Sequence, residues 1–281
     1  VIPTGALPNY IRSGPGFDYV FHLAGATRAR DYRAYQAANV KYTWLLLDTL
    51  SNTKISNRPK RFVLVSSQSA AGPCRDDCTP VTESDEPRPV SLYGRSKLEA
   101  EVVAASFQDR LPVTIVRPPT VFGPRDTDVL GVFKSACFRI AAYLAGPDRR
   151  VSIIYVEDLV KGILHAALSP AAEGSTFFLA NSEPVIWRQF AFDVANVMGC
   201  SVLPLPVPYP VAKVMALCGD VICKVSNSPP LFRSEKLEEM MKIAWVCSPE
   251  KARRELGWQS STPLREAIGK TAEWYRSHGW I

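Results

Sequence analysis

Residues 61–73 read RFVLVSSQSAAGP: an apolar run after Arg61, then two serines, then small residues closing in Gly72 and Pro73. A short run that is apolar at successive positions suits a strand covered on both faces, as in a parallel sheet, where no side of the strand is wet. The serines fall where the strand ends. An open parallel sheet gathers its ligands at the carboxyl ends of its strands. The stretch therefore predicts a central strand that delivers hydroxyl groups to a binding crevice.

Outward from it, similar runs alternate with helical patterns. FDYVFHLAG (17–25) reads as a buried strand ending in small residues, and YQAANVKYTWLLLDTL (35–50) has helical periodicity. A long loop rich in Pro, Asp, Ser and Cys leads to SLYGRSKLEAE (91–101), where Leu92, Leu98 and Ala100 suit a packed helix face and Glu99 and Glu101 a wet one. LPVTIVRPP (111–119) is a third strand. VSIIYVEDLVKGILHAAL (151–168) is a strand and an amphipathic helix with Glu157 and Asp158 at its N-terminus, and STFFLAN (175–181) is a further strand. Strands and helices alternating at these lengths imply an α/β fold with a doubly wound parallel sheet. Residues 1–122 are expected to form the sheet domain, with 151–182 returning to it. Residues 123–281 form a smaller, mostly helical region, punctuated by proline from about 183 on (PLPVPYP, 204–210) and suited to substrate contacts.

On the helix at 91–101, Tyr93 and Lys97 share one face, one turn apart. A free tyrosine, with a pKa of about 10, is a poor base at neutral pH. An ammonium one turn away favours the phenolate. A tyrosine so tuned takes a proton from an alcohol as hydride leaves, or gives one to a ketone in reverse. A second group must hold the substrate oxygen: Ser67, or Ser66 or Ser69 if the strand end shifts. The spacing itself is common on helices, so the pair gains its meaning from these surroundings.

The bulk numbers exclude several classes. With 281 residues, 47% hydrophobic and 21% charged, the chain has the profile of a folded protein. The net charge of +6 is spread along it, and the densest basic spots, DRR (148–150) and KARRE (251–255), are short or mixed with acids, so nucleic acid is not implied. Seven cysteines show no framework spacing. Cys74 and Cys78 are the closest pair, no Cys or His follows at a zinc-like interval, and there are three histidines, so no metal site is expected and the thiols are expected reduced in a cytoplasmic protein. VPYPVAKVMALCGDVICKV (207–225) is interrupted by Pro210, Lys213, Asp220 and Lys224 and predicts no membrane span. The opening residues have no signal-peptide pattern. His22, inside an apolar strand, reads as a hydrogen-bonded core residue. Thr27 and Arg28, after the first strand, read as facing coenzyme or substrate or as surface loop, Arg125 and Arg233 as solvated or gripping a phosphate or carboxylate, and Trp245, Trp258 and Trp274 as packing the smaller region.

Together these stretches resemble the extended short-chain dehydrogenases/reductases, a family that includes nucleotide-sugar epimerases and dehydratases, dihydroflavonol reductases and 3β-hydroxysteroid dehydrogenases. FDYVFHLAGATR resembles the family's fourth strand, which implies that Leu23, Ala24, Gly25 and Thr27 adjoin the coenzyme. NVKYT (39–43) is similar to an Asn-Val-x-Gly-Thr element and adds Asn39, although Tyr42 stands where glycine is usual. RFVLVSSQSAAGP resembles the fifth strand, with Val65 beside the coenzyme and Ser67 at the catalytic position. VTESDEPRPVSLYGRSKLEAE is similar to the segment carrying the active tyrosine and lysine, here Tyr93 and Lys97. VRPPTVFGPRD resembles the sixth strand and the loop beside the nicotinamide, placing Pro118, Pro119, Thr120 and Val121 in that pocket.

The resemblance implies a Rossmann-like fold, NAD or NADP as coenzyme, and hydride transfer with Tyr93 as acid/base. Lys97 would lower its pKa and hold the nicotinamide ribose, and Ser67 would position the substrate oxygen. SSQSAAGP is more similar to the hydroxysteroid dehydrogenase branch than to the Val-Tyr-Gly ending of sugar-nucleotide epimerases, and 204–225 is apolar. Both favour an apolar alcohol or ketone, 3β-hydroxysteroid- or dihydroflavonol-like, with nucleotide-sugar epimerase or dehydratase as the alternative. One departure stands out. Among sixteen glycines, none form G-x-G-x-x-G or G-x-x-G-x-x-G, the turn that cradles a pyrophosphate. The sheet is therefore expected to start in its middle, with the first strands upstream of Val1. A reading of another class is a degenerate subunit or binding protein without coenzyme affinity. The residue that selects NAD or NADP lies outside the sequence. Helices at 35–50 and 92–109 suggest the seam of a homodimer, as in many relatives.

Overall fold

Four parallel strands pair in the order β1 (Tyr19–His22), β2 (Arg61–Val65), β3 (Val113–Arg117) and β8 (Thr176–Phe178). The computed structural model describes residues 10, 11, 14, 16–75, 79–225 and 232–281; Cys78 lies outside them. The two central strands explain the unbroken apolar reading. Phe62 and Leu64 of β2 and Val113 and Ile115 of β3 face one side. There they pack with Leu47 and Leu50 of α1 and Ala100 and Ala104 of α3 (Leu92–Ala105). Val63 and Val116 face the other side, against Leu159, Ile163 and Ala166 of α5 (Val156–Leu168) and Ala252 and Leu256 of α9 (Glu250–Leu256). Every second side chain crosses the sheet, so both registers must be apolar. Helix α1 runs as an α-turn (Tyr32–Tyr35), a π-helical turn (Gln36–Lys41) and an α-helix (Tyr42–Ser51), opened by Asp31, whose carboxylate accepts the Ala34 N–H at 2.9 Å.

After β3 the chain leaves this sheet. β4 (Thr120–Phe122) pairs in parallel with β7 (Ile153–Tyr155), and β7 joins the two halves of the molecule. Its Ile154 sits in the core under the large sheet, while Ile153 and Tyr155 enter a second core. That core is enclosed by α4 (Leu130–Cys137), α6 (Trp187–Val197) and α10 (Leu264–Ser277), with Phe122, Phe133, Phe190 and Tyr275 buried at its centre. From β7 the chain returns through α5 to β8. It leaves again at β9 (Val185–Ile186), comes back with α9 and departs for α10.

Helices dominate the smaller region, and two further small sheets brace it: β5 (Ile140–Leu144) with β10 (Leu203–Val207), and β6 (Arg150–Val151) between β9 and β11 (Ala244–Trp245). The proline-rich stretch differs from the short helices expected there. Leu203 donates its N–H to Arg139 O, so alternate residues of β10 face β5 and Pro204 and Pro206 fall where an N–H would point away. Proline costs a strand little at such an edge position. From Tyr209 the chain turns into a helix of 17 residues, α7 (Tyr209–Val225), followed by α8 (Ser234–Met241). Trp274 packs the smaller core, whereas Trp258 corrects the expectation. It lies in the core of the large sheet over Gly162, where a Cβ would come within 2.8 Å of the indole.

Candidate active site

The carboxyl end of β2 separates its serines by direction. Ser66 turns inward and donates to Glu101 Oε1 at 2.5 Å. Glu101 also receives Arg117 Nη2 at 2.6 Å and Nε at 3.0 Å, and all three residues are buried. Ser67 caps α2 (Gln68–Ala71), accepting the Ser69 N–H at 3.1 Å, and its hydroxyl lies close enough to the Tyr93 phenol to lower the phenol's pKa. The carbonyl of Ser69 lies under Gly94, where a Cβ would stand 2.3 Å away. Glycine at that crossing lets α3 press against α2 and sets Tyr93 over Ser67. Ser91 starts α3 by accepting the Gly94 N–H at 3.1 Å.

One turn on, Lys97 is buried, and its Nζ donates to Val65 O at 2.8 Å. Burial lowers its pKa to about 8, with the nearby Glu101 carboxylate opposing. Tyr93 departs from expectation. Burial pushes its phenol up to about 12, the Ser67 hydroxyl draws it down, and the carboxylates of Glu239 and Asp128 push it up again. The downward pull comes from Ser67 rather than Lys97, whose ammonium is turned to the Val65 carbonyl. At neutral pH the phenol therefore holds its proton and is set to donate it.

Behind the pair, His22 is buried with Nε2 2.9 Å from Thr43 Oγ1. The Thr43 hydroxyl spends its own proton on Asn39 O at 2.6 Å, so His22 must donate through Nε2–H. Burial, then the Lys97 charge, lowers its pKa to about 4. The expectation that Asn39 touches the coenzyme directly is corrected by its burial. Its Oδ1 accepts the Ala26 N–H at 2.7 Å, and its Nδ2 donates to Ala26 O at 3.1 Å and Ser96 Oγ at 2.8 Å. The amide is spent on the protein and fixes the loop after β1. Gly25 allows the approach, since a Cβ there would meet Asn39 Oδ1 at 2.7 Å.

Leu23, Ala24, Gly25 and Thr27 of that loop are exposed. Pro118 and Pro119 are buried, and Pro118 O accepts the Gln68 N–H at 2.8 Å. Thr120 and Val121 are half-buried and lie in a strand rather than a loop, paired with Ile153 and Ile154. Arg28 is paired with Asp128, and Arg233 with Asp220 at 3.2 Å and Ala29 O at 2.8 Å. Arg125 is exposed, with a φ of 71°.

Several neighbours of Tyr93 escaped the sequence reading. Glu235 of α8 accepts the Tyr93 N–H at 3.0 Å, and the Tyr35 ring lies 6.1 Å from the Tyr93 ring. These residues come from segments far apart in the chain and form no local pattern that could announce them. Among the described residues no cluster of His, Cys, Asp and Glu could hold a metal, and no helix is long and apolar enough to cross a membrane.

Comparison with known proteins agrees with this architecture. The chain is 26% identical over 271 residues to a ceramide reductase of Caulobacter vibrioides, covering 96% of this chain and 78% of that one. It is 26% identical over 267 residues to a 4-hydroxy-2-methyl-3-oxo-4-farnesyl-3,4-dihydroquinoline-1-oxide ketoreductase of Stigmatella aurantiaca, covering 90% and 76%. The UDP-glucuronic acid 4-epimerase of Bacillus cereus, solved with UDP-glucuronic acid and NAD, shares the fold at a TM-score of 0.74 and 18% identity, covering 97% of this chain and 78% of that one. Residues 5–180 match the NAD dependent epimerase/dehydratase family. That match spans β1 to β8, and the chain belongs to this NAD-dependent family.

Proposed function

We propose that the protein is an NAD(P)-dependent oxidoreductase that reduces a keto group, or oxidises the matching hydroxyl, on a small apolar molecule. The observation that carries this reading is the close crossing of α2 and α3 at Gly94, which brings Tyr93 beside Ser67, with Lys97 buried one turn along the same helix. The bound nicotinamide supplies or accepts the hydride. Ser67 holds the substrate oxygen, and Tyr93 donates the proton that oxygen needs on reduction. Lys97 anchors by one N–H to Val65 O, which leaves two donors for a ribose hydroxyl. The exposed Leu23–Gly25 and the half-buried Thr120 and Val121 would border the nicotinamide, and Asn39 would hold the first of these segments in place.

One feature supports an apolar substrate over a nucleotide sugar: Arg28 and Arg233, which could otherwise grip a diphosphate, are already engaged with carboxylates. The names of the ceramide reductase and farnesyl-quinoline ketoreductase relatives point the same way.

The test is Tyr93→Phe, with NAD(P)H consumption followed on apolar ketones. Turnover should fall about 10²–10⁴-fold, the usual worth of a positioned acid, while coenzyme affinity stays unchanged. Retained turnover would remove Tyr93 from its role. Activity on UDP-sugars alone would transfer the substrate class to the epimerases.

A further inference from the structure

Helix α7 wears its apolar side chains on the outside. Val211, Val214, Met215, Cys218, Val221 and Ile222 fall within one arc of about 120°, at about 100° per residue. All six are exposed, the five besides Cys218 by 50–62%. The opposite side of the helix, with Ala212, Ala216 and Cys223, is buried, and Ala212 and Ala216 pack with Leu144 of β5 and Leu237 of α8. Leu217, half exposed, widens the arc toward Lys213. A surface helix ordinarily shows its polar residues to solvent, and an apolar stripe of this size marks an interaction site.

We infer that α7 is a peripheral docking helix that lies in the surface of an anionic lipid bilayer. Charge argues for this occupant. Segments 129–147 and 194–219 contribute Lys134, Arg139 and Lys213 and no acidic residue, while α8, packed on α7, adds Glu235, which holds the Tyr93 N–H, Glu239, paired with Lys236 at 3.1 Å, and the exposed Glu238. The one carboxylate on α7, Asp220, is tied to Arg233 at 3.2 Å and Ser234 at 2.5 Å. An apolar face with Lys213 on one side of it, beyond Leu217, meets what an anionic membrane surface offers: hydrocarbon below and negative headgroups beside it. Leu203 and Leu205, exposed on the strand that leads into α7, and Phe138 beside Arg139 add apolar side chains to the same end of the fold.

The docking rests on α7. Its use rests on the apolar-substrate reading above. α7 packs on α8, and Glu235 of α8 holds the Tyr93 N–H, so a substrate dissolved in the bilayer would meet the crevice close to where it leaves the lipid.

The experiment is flotation of the protein with phosphatidylcholine vesicles, with and without phosphatidylglycerol. The protein should float with the mixed vesicles, and less so at high salt. Val214→Glu/Val221→Glu should lower partitioning about tenfold or more, because it places charge in the apolar face. Lys213→Glu should weaken binding to the mixed vesicles several-fold and leave pure phosphatidylcholine unaffected. Both changes are on exposed positions, and an unchanged melting temperature certifies the fold. A protein that floats with neither vesicle overturns the inference. So does a double variant that floats as before but loses self-association in sedimentation, since the stripe is then a protein interface. Vesicle binding is read without turnover. A protein that floats but acts only on UDP-sugars keeps the docking and loses the substrate reading. One that reduces apolar ketones in detergent but does not float does the reverse.

Discussion

His22 shows how a residue beside the chemistry sets the conditions under which the protein is stable. Buried and neutral, it takes up a proton in the folded chain near pH 4, against about 6.5 when unfolded. Between those values the unfolded state binds more protons, so stability is complete above about pH 6.5 and declines as the pH falls toward 4. The shift corresponds to at most about 3 kcal/mol. Melting temperature measured from pH 7 to 4 should fall, and His22→Gln, which keeps a donor for Thr43 without titrating, should flatten that slope. A slope unchanged by the substitution would place the titrating group elsewhere. At this scale the sequence was readable where the chemistry is local. Ser67 as a candidate follows from a strand end and the Tyr93–Lys97 pair from a helical spacing, while their roles come from the resemblance to a family. The direction of the Tyr93 shift was not readable, because it depends on burial and on Glu239 and Asp128, which only the folded chain brings near.

Gly94 governs the meeting of two elements. With no Cβ at that crossing, α3 approaches α2 closely enough for Tyr93 to reach Ser67. Gly94→Ala would place a methyl carbon 2.3 Å from a backbone oxygen, so the helices must part. Lowered stability, by about 1–3 kcal/mol as for an overpacked core, should accompany a larger loss in kcat than in coenzyme affinity. Thermal melts and steady-state kinetics on the one variant check both. An unchanged kcat would show that the crossing does not position the phenol. Most large elements were legible from periodicity: β1, β2, β3, β8, α3 and α5 all fall within the stretches read as strand or helix. β4 was not, since three residues between a Pro-Pro pair and Gly123 give no period. Nor was the π-turn of α1, which carries Asn39, the residue that accepts the Ala26 N–H from a segment distant in the chain.

Across the whole molecule, α1 and α3 cover one face of the large sheet and leave a groove of about 480 Å³ on their outer side, lined by Val40, Trp44 and Val103 among others. Trp44 is 48% exposed there and Val102 of α3 64%. A homodimer seam on these helices would cover both. Trp44→Glu should then convert a dimer to a monomer in sedimentation equilibrium without altering vesicle flotation, whereas an unchanged dimer would place the seam elsewhere. The route of the chain was harder to foresee than its parts, because β7 alternates between two cores and nothing in IIY reveals which side chain enters which. That route has a mechanical consequence. Successive crossings between the large sheet and the smaller core stitch the two together like thread through cloth. A protease that nicks any one crossing leaves fragments still clasped by the others, so the two halves cannot be parted by a single cut.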